Sequence, residues 1–271
     1  MSDIITSKRT DMAIELIEDA KGKRTRSGVK RTEVIVDSKL SQSLRRPKGR
    51  YVTVESTAPL SARRDRYKPL IDELASVINS FSEGCSSFLA VGVGNPLLTA
   101  DALGAKTVAL LKTNRGIEKR PGACTLAAFS PGVSGVTGIE SVDFVKSITS
   151  LVKPDCVLII DSLASAAVSR LGTAFQLCDS GLVPGSGVGG GKGSLSPSSL
   201  KVKRTVSIGV PLVVYAETII RDALGSEPPI SDSVRGLLVT PKDVDLVMNE
   251  CAHVIAEAIN LALGLSISPQ T

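Results

Sequence analysis

Two aspartates stand where an α/β protein would place its chemistry. Asp101 follows SSFLAVGVGN (86–95), a short apolar run that stops on Gly and Asn, and Asp161 ends the near-continuous apolar run CVLIID (156–161). Both runs read as buried strands, so both carboxylates fall at the carboxyl ends of parallel strands, where open α/β sheets form ligand crevices. Two aspartates sharing a site have their pKa values driven apart: one ionises and activates water, while the other keeps a proton for a leaving group. The same placement fits a plainer role equally well. Asp101 would then complement a helix dipole, and Asp161 would cap the helix that follows it.

Other chemistries find less support. Gly185, Gly187 and Gly190 satisfy GxGxxG, but the run leads into GKGSLSPSSLKVK, a loop, whereas a dinucleotide fingerprint must open a helix. Gly191-Lys192 resembles the end of a phosphate-binding loop, yet Ser186 and Gly193 occupy the positions that need Gly and Ser/Thr. After Gly92-Val-Gly94 the third glycine position is Leu97. These glycines read as sites of close backbone approach or a flexible flap. Ser134 lacks the second glycine of a nucleophile elbow, having Val136 two residues on. The single His, His253, shares a polar helix face with Glu250 and Glu257, which suits a solvated side chain. Five cysteines (85, 124, 156, 178 and 251), an odd number without a CxxC pair, read as buried thiols of a reducing compartment.

The elements that must position the aspartates follow from periodicity. The 271 residues are 42% apolar and 22% charged, the balance of a globular chain with a sizeable core. Aromatics are 3% with no Trp, which argues against stacking platforms for single-stranded nucleic acid. No 18-residue uncharged apolar run occurs, and the N-terminus MSDIITSKRTD has no apolar leader core, so a cytoplasmic protein without a membrane role is expected. Residues 1–50 hold 13 Lys/Arg against 7 Asp/Glu, and the other 221 hold 19 against 20. That makes a basic arm on a neutral body, either solvated or touching nucleic acid or an acidic partner. YVTVES (51–56), 86–95, 123–132, 156–161 and VSIGVPLVVY (206–215) read as strands. RYKPLIDELASVINSF (66–81), a helix with Thr99 as N-cap, 140–152, SLASAAVSRL (162–171) and 241–263, entered through Thr240-Pro241, read as helices. Strands alternating with helices predict a three-layer α/β/α domain over 51–271 with a mostly parallel sheet and an N-terminal appendage.

Six strings occur in order: VGVGNPLLTADALGAK (91–106), SPGVSGVTGIES (130–141), LIIDSLASAAVSR (158–170), CDSGLVPGSGVG (178–189), IGVPLVV (208–214) and LLVTPKDVD (237–245). Together they resemble the spore germination protease family, the GPR endopeptidases, and the early RTDMAIE (9–15) resembles the family's propeptide junction. The resemblance implies a zymogen, assembled as a homotetramer in the forespore or spore core, that initiates breakdown of small acid-soluble spore proteins during germination. It implies a fold similar to hydrogenase maturation endopeptidases, and it places the family's proposed catalytic aspartates on Asp101 and Asp161. It divides the chain into a propeptide (1–11), a basic arm (12–50) and a peptidase domain (51–271), with processing between Asp11 and Met12. Asn95, Thr137, Gly138, Glu140, Asp179, Ser180, Gly185 and Gly187 are then expected to shape the substrate cleft. This chain differs from typical members in a shorter segment near 221–236, and in DSLASAA where an arginine is more usual.

The scheme needs no metal or other cofactor and no direct nucleic-acid contact. Two alternatives stand beside it. Asp101, Asp161 and Glu140 could hold a metal as oxygen ligands in a maturation-type endopeptidase. Alternatively, the chain is a non-catalytic binding module that works through its basic arm, although such a module has no need of both aspartates.

Overall fold

A computed structural model describes residues 9–17, 23–24, 29–44, 46–57, 60, 66–117, 123–184, 193–225 and 228–265. Its strands are β1 (Lys23–Arg24), β2 (Lys30–Val36), β3 (Gly49–Glu55), β4 (Ser87–Gly92), β5 (Thr125–Phe129), β6 (Cys156–Ser165), β7 (Ala174–Cys178), β8 (Arg204–Tyr215) and β9 (Leu238–Val239). The helices are α1 (Ser38–Leu44), α2 (Lys68–Phe81), α3 (Leu103–Leu110), α4 (Ser134–Thr137), α5 (Ser141–Val152), α6 (Pro197–Leu200), α7 (Ala216–Leu224) and α8 (Val244–Ala262).

The apolar runs read from the sequence become four parallel neighbours in the order β8-β6-β4-β5. Alternate residues of these strands feed two cores. Phe88, Ala90, Leu158 and Ile160 point to one face, where α2 and α8 cover them. Leu89, Val91, Val157 and Ile159 point to the other, against Val142 and Val145 of α5 and Leu200 of α6. The amphipathic spacing of α2 is realised in full: Leu70, Ile71, Leu74, Val77, Ile78 and Phe81 are all buried. The α/β architecture and its three layers are therefore those the sequence implies. Among the described residues no helix is long and apolar enough to cross a membrane.

Four expectations are corrected. The sheet is mixed: beyond β8 it continues through antiparallel β7, β3, β2 and β1, while β9 pairs with β8 on its own. The stretch expected as a basic appendage supplies β2, whose buried Val34 and Val36 alternate with exposed residues along its pairing with β3. SLASAAVSRL is not a helix. β6 runs on through Ser165, where pairing with β8 (Ala164 opposite Val213) overrides the helical preference of its small residues. Finally, α8 starts after Asp243 rather than Thr240, and Thr99 opens only a single 3-10 turn without a side-chain cap.

One glycine fixes how closely α3 meets the sheet. A Cβ on Gly104 would run into the backbone carbonyls of Val93 and Ile160. Gly104→Ala is therefore expected to lower stability by about 1–3 kcal/mol, the usual cost of forcing extra volume into a packed core. Gly135→Ala, which meets nothing within 4 Å, is expected to change it little. Thermal unfolding of the two variants side by side checks this; equal Tm values would contradict the close packing.

Candidate active site

Strand register brings the two aspartates together. β4 and β6 are parallel neighbours with Gly92 opposite Ile160, and the Val93 amide donates to the Ile160 carbonyl at 2.8 Å. The chain leaving β4 thus passes beside Asp161, the next residue of β6. It turns at Gly94, whose φ of +107 favours glycine and whose missing side chain lets the Asp101 carbonyl approach. The turn Thr99–Asp101 then delivers the second carboxylate, whose Oδ2 accepts the Asn95 N–H at 2.7 Å.

The electrostatics are strained. Asp161 is 8% exposed and accepts the adjacent Ser162 N–H at 2.9 Å. Burial, and then the negative charges of Asp101 and Asp11, pushes its carboxyl well above the ordinary range. Burial also raises Asp101, opposed by the Asn95 hydrogen bond. It raises Asp11 too, against the Ala164 N–H and the Arg46 charge. These carboxylates meet in a cleft of about 600 Å³, which Glu140 also lines, with apolar walls from residues such as Leu98, Val133 and Leu238.

The third carboxylate arrives on the N-terminal segment, which lies along the end of β6. The Asp11 N–H donates to the Ala164 carbonyl at 2.8 Å, and the Ala164 N–H returns a bond to Asp11 Oδ2 at 2.9 Å. Gln176 of β7 brackets the next residue, Met12: its Nε2 donates to the Asp11 carbonyl at 3.0 Å, and its Oε1 accepts the Ala13 N–H at 2.6 Å. Met12 is fully buried against Leu163 and Ala174. Glu15 accepts from the Ser165 hydroxyl (2.7 Å), the Ala166 N–H (2.6 Å) and Arg170 Nη1 (3.0 Å). Upstream, Arg9 lies over the Tyr215 ring and 3.5 Å from Glu217, and Arg46 bonds the Thr10 carbonyl and pairs with Asp11 at 3.5 Å. The segment is extended apart from one 3-10 turn, Ala13–Leu16, and the Thr10 hydroxyl accepts the Met12 N–H.

The expected site residues divide accordingly. Asp101, Asp161, Asp11 and Glu140 line the cleft, and Asn95 serves it through its backbone amide. Thr137 and Gly138 are exposed at the end of α4, where Gly138 is a left-handed cap and the Thr137 hydroxyl bonds backbone carbonyls. Asp179 and Ser180 lie away from the cleft: β7 is antiparallel to β8, so its carboxyl end points to the opposite edge of the parallel strands. There Asp179 accepts the Arg50 N–H and Ser180 donates to the Tyr51 hydroxyl. Gly185 and Gly187 lie outside the described residues. Arg46, Arg170 and Gln176 were not anticipated, since each meets a partner at least 35 residues away. Among the described residues, no three His, Cys, Asp or Glu side chains form a group able to hold a metal ion.

Residues 4–226 match the family model described as Germination protease. The chain belongs to the germination protease family. It is an endopeptidase of spore germination. The germination protease of Caldanaerobacter subterraneus subsp. tengcongensis is 33% identical over 309 residues, covering 96% of this chain and 95% of that protein. That of Bacillus subtilis is 35% identical over 242 residues, covering 80% and 66% respectively. Among solved structures, a NiFe hydrogenase maturation protease from Thermococcus kodakarensis KOD1 is 20% identical, with a TM-score of 0.41 over 69% of this chain and 99% of that one.

The raised carboxyls carry a sign for stability. The folded protease holds these protons more tightly than the unfolded chain, so this site's contribution falls as pH rises above the ordinary carboxylate range. Asp161→Asn removes the most perturbed of the three. It is expected to raise Tm at neutral pH, with the gain shrinking toward zero at pH values where wild-type carboxyls are protonated in both states. Melting curves across pH check this; a variant less stable at neutral pH would contradict the crowding.

Proposed function

We propose that the protease is a zymogen that frees itself by cutting between Asp11 and Met12, and then degrades small acid-soluble spore proteins. Asp101 and Asp161 activate the water. The reading includes a homotetramer and the spore core as its place of action, both implied by the family resemblance. The observation that carries it is the seat of the Asp11–Met12 bond, held by backbone and Gln176 hydrogen bonds at the cleft that contains both aspartates. The seated pattern is acidic, apolar, Ala, and family substrates resemble it.

The roles of the pair follow from their surroundings. Asp161, the more deeply buried, keeps its proton; Asp101, supported by the Asn95 N–H, is the member that ionises. Ionised Asp101 takes a proton from water as its oxygen bonds to the Asp11 carbonyl carbon, and the carbonyl oxygen becomes an oxyanion. As the C–N bond breaks, Asp161 gives its proton to the Met12 nitrogen. The products are a carboxyl on Asp11 and an amine on Met12. The tail released has cancelling charges (Lys8 and Arg9 against Asp3 and Asp11), so removal unblocks the cleft sterically.

Asp101→Asn and Asp161→Asn are each expected to lower digestion of a small acid-soluble spore protein by at least about 100-fold with the fold kept, since an amide neither ionises nor donates an acidic proton. Activity within about tenfold of wild type would remove that residue from the mechanism. EDTA and 1,10-phenanthroline are expected to leave the rate unchanged; inhibition reversed by added metal would favour metal-assisted hydrolysis instead. Intact-mass measurement at mildly acidic pH is expected to find a chain beginning at Met12 in wild type and none in Asp161→Asn. A full-length, uncut chain that already digests spore protein would sink the zymogen reading.

A further inference from the structure

Gln176 is a buried amide with both ends in use, and the groups that use it flank a single residue, Met12. Nε2 donates to the carbonyl of Asp11 and Oε1 accepts the N–H of Ala13, so the side chain brackets Met12 and holds the carbonyl of the Asp11–Met12 bond. The orientation of the amide follows from its partners, because a peptide N–H can only donate and a carbonyl can only accept. Gln176 also shares a sheet row with Asp161. Gly209 of β8 is opposite Asp161 on one side and Gln176 on the other. Directly opposed residues point to the same face of a sheet. The side chains of Asp161 and Gln176 therefore rise from the same face, two strands apart, across a residue that has no side chain.

We propose that Gln176 is a catalytic residue: its Nε2–H stabilises the oxyanion that forms on the Asp11 carbonyl as water adds, and its Oε1 holds the Ala13 N–H so that Met12 stays fixed beside the bond being cut. The inference rests on the reading that Asp11–Met12 is a bond the protease cleaves. It assigns to β7 the polarising half of the site and leaves water activation to the aspartates. A preorganised donor aimed at the developing charge costs no reorganisation during the reaction. Removing one such donor typically lowers kcat by about 100- to 1000-fold.

The test uses the full-length chain as wild type, Gln176→Met and Gln176→Glu. It follows self-cutting by intact mass and spore-protein digestion by kcat and KM, from mildly acidic to neutral pH. Charged and titratable groups around Gln176 are Asp11, Arg46 paired with it, and Asp161 across Gly209 with Asp101 behind it. Rates are therefore expressed relative to wild type at each pH. Gln176→Met is expected to lose about 100-fold in kcat at every pH, with KM changed by less than about threefold. Gln176→Glu is expected to be as slow at neutral pH and to recover on acidification. A protonated carboxyl donates to the Asp11 carbonyl and accepts the Ala13 N–H as the amide does.

A merely structural Gln176 would not give acid rescue confined to the Glu variant. Folded Gln176 variants that cut at the wild-type rate, or a Glu variant with no acid rescue, would overturn the role of Gln176 and leave the cutting site standing. Wild type that digests spore protein at other sites but never cuts after Asp11, with kcat unchanged in both variants, would overturn both. Wild type that cuts neither itself nor spore protein would overturn the reading and the inference with it.

Discussion

Much of this molecule depends on β6 not stopping at Asp161. Its parallel neighbour β4 ends at Gly92, opposite Ile160, but β6 continues to Ser165 because β8 runs alongside it to the level of Val214, with a register shift between Leu163 and Ala164. Past the end of β4 the strand has one free edge, and a free edge is a row of unpaired N–H and C=O groups waiting for an extended chain. Ala164 uses both of its groups on Asp11. The strand that positions Asp161 is thus also the rail along which the N-terminal segment is laid.

Holding a peptide there works against electrostatics. Asp11 brings a further negative charge to Asp161, which burial and Asp101 already make harder to ionise, and its ion pair to Arg46 is long at 3.5 Å. The seat is secured by other means. Full burial of Met12 is worth roughly 1.5–3 kcal/mol. Glu15, with a side chain 3% exposed, has hydroxyl, amide and guanidinium donors around it. Losing one partner of so buried a pair costs about 3–5 kcal/mol, more than an exposed pair contributes. Apolar burial and the Glu15 cluster therefore hold the segment, and the carboxylates at the cleft can stay mutually unfavourable.

Sequence patterning reached the parallel half of the sheet because parallel strands covered on both faces write continuous apolar runs such as CVLIID and SSFLAV. It reached Asp101 and Asp161 for the same reason, since each closes or follows such a run. It did not reach β7: AFQLC is five residues with a polar residue at its centre, and that residue, Gln176, is the one the site uses. It misassigned residues 162–171 because Ala and Leu there favour helix locally, and only pairing with β8 draws 162–165 into β6, while Val168–Arg170 forms a single 3-10 turn. Asp179 and Ser180 were expected at the cleft through their motif, but strand direction decides location, and β7 runs the other way. Arg46 and Arg170 left no local signal, because their partners on the N-terminal segment are 35 and 155 residues away in the chain.

The mixed sheet explains why the site needs both halves. In the parallel half every strand presents its carboxyl end to the same edge, so Asp101 and Asp161 meet there through the register of β4 on β6. A parallel sheet alone would place only carboxyl-end residues at that edge. Antiparallel β7 enters from the other direction, so it is the middle of a strand, Gln176 rather than the Cys178 end, that stands level with Asp161 across Gly209. Side-chain alternation then puts Phe175 and Leu177 into the core beneath, and Gln176 onto the face where the peptide lies. Replacing β7 by a parallel strand would reverse its direction along that edge and put a different residue opposite Gly209. The direction of one short strand therefore decides whether a peptide laid on β6 meets an amide on its far side.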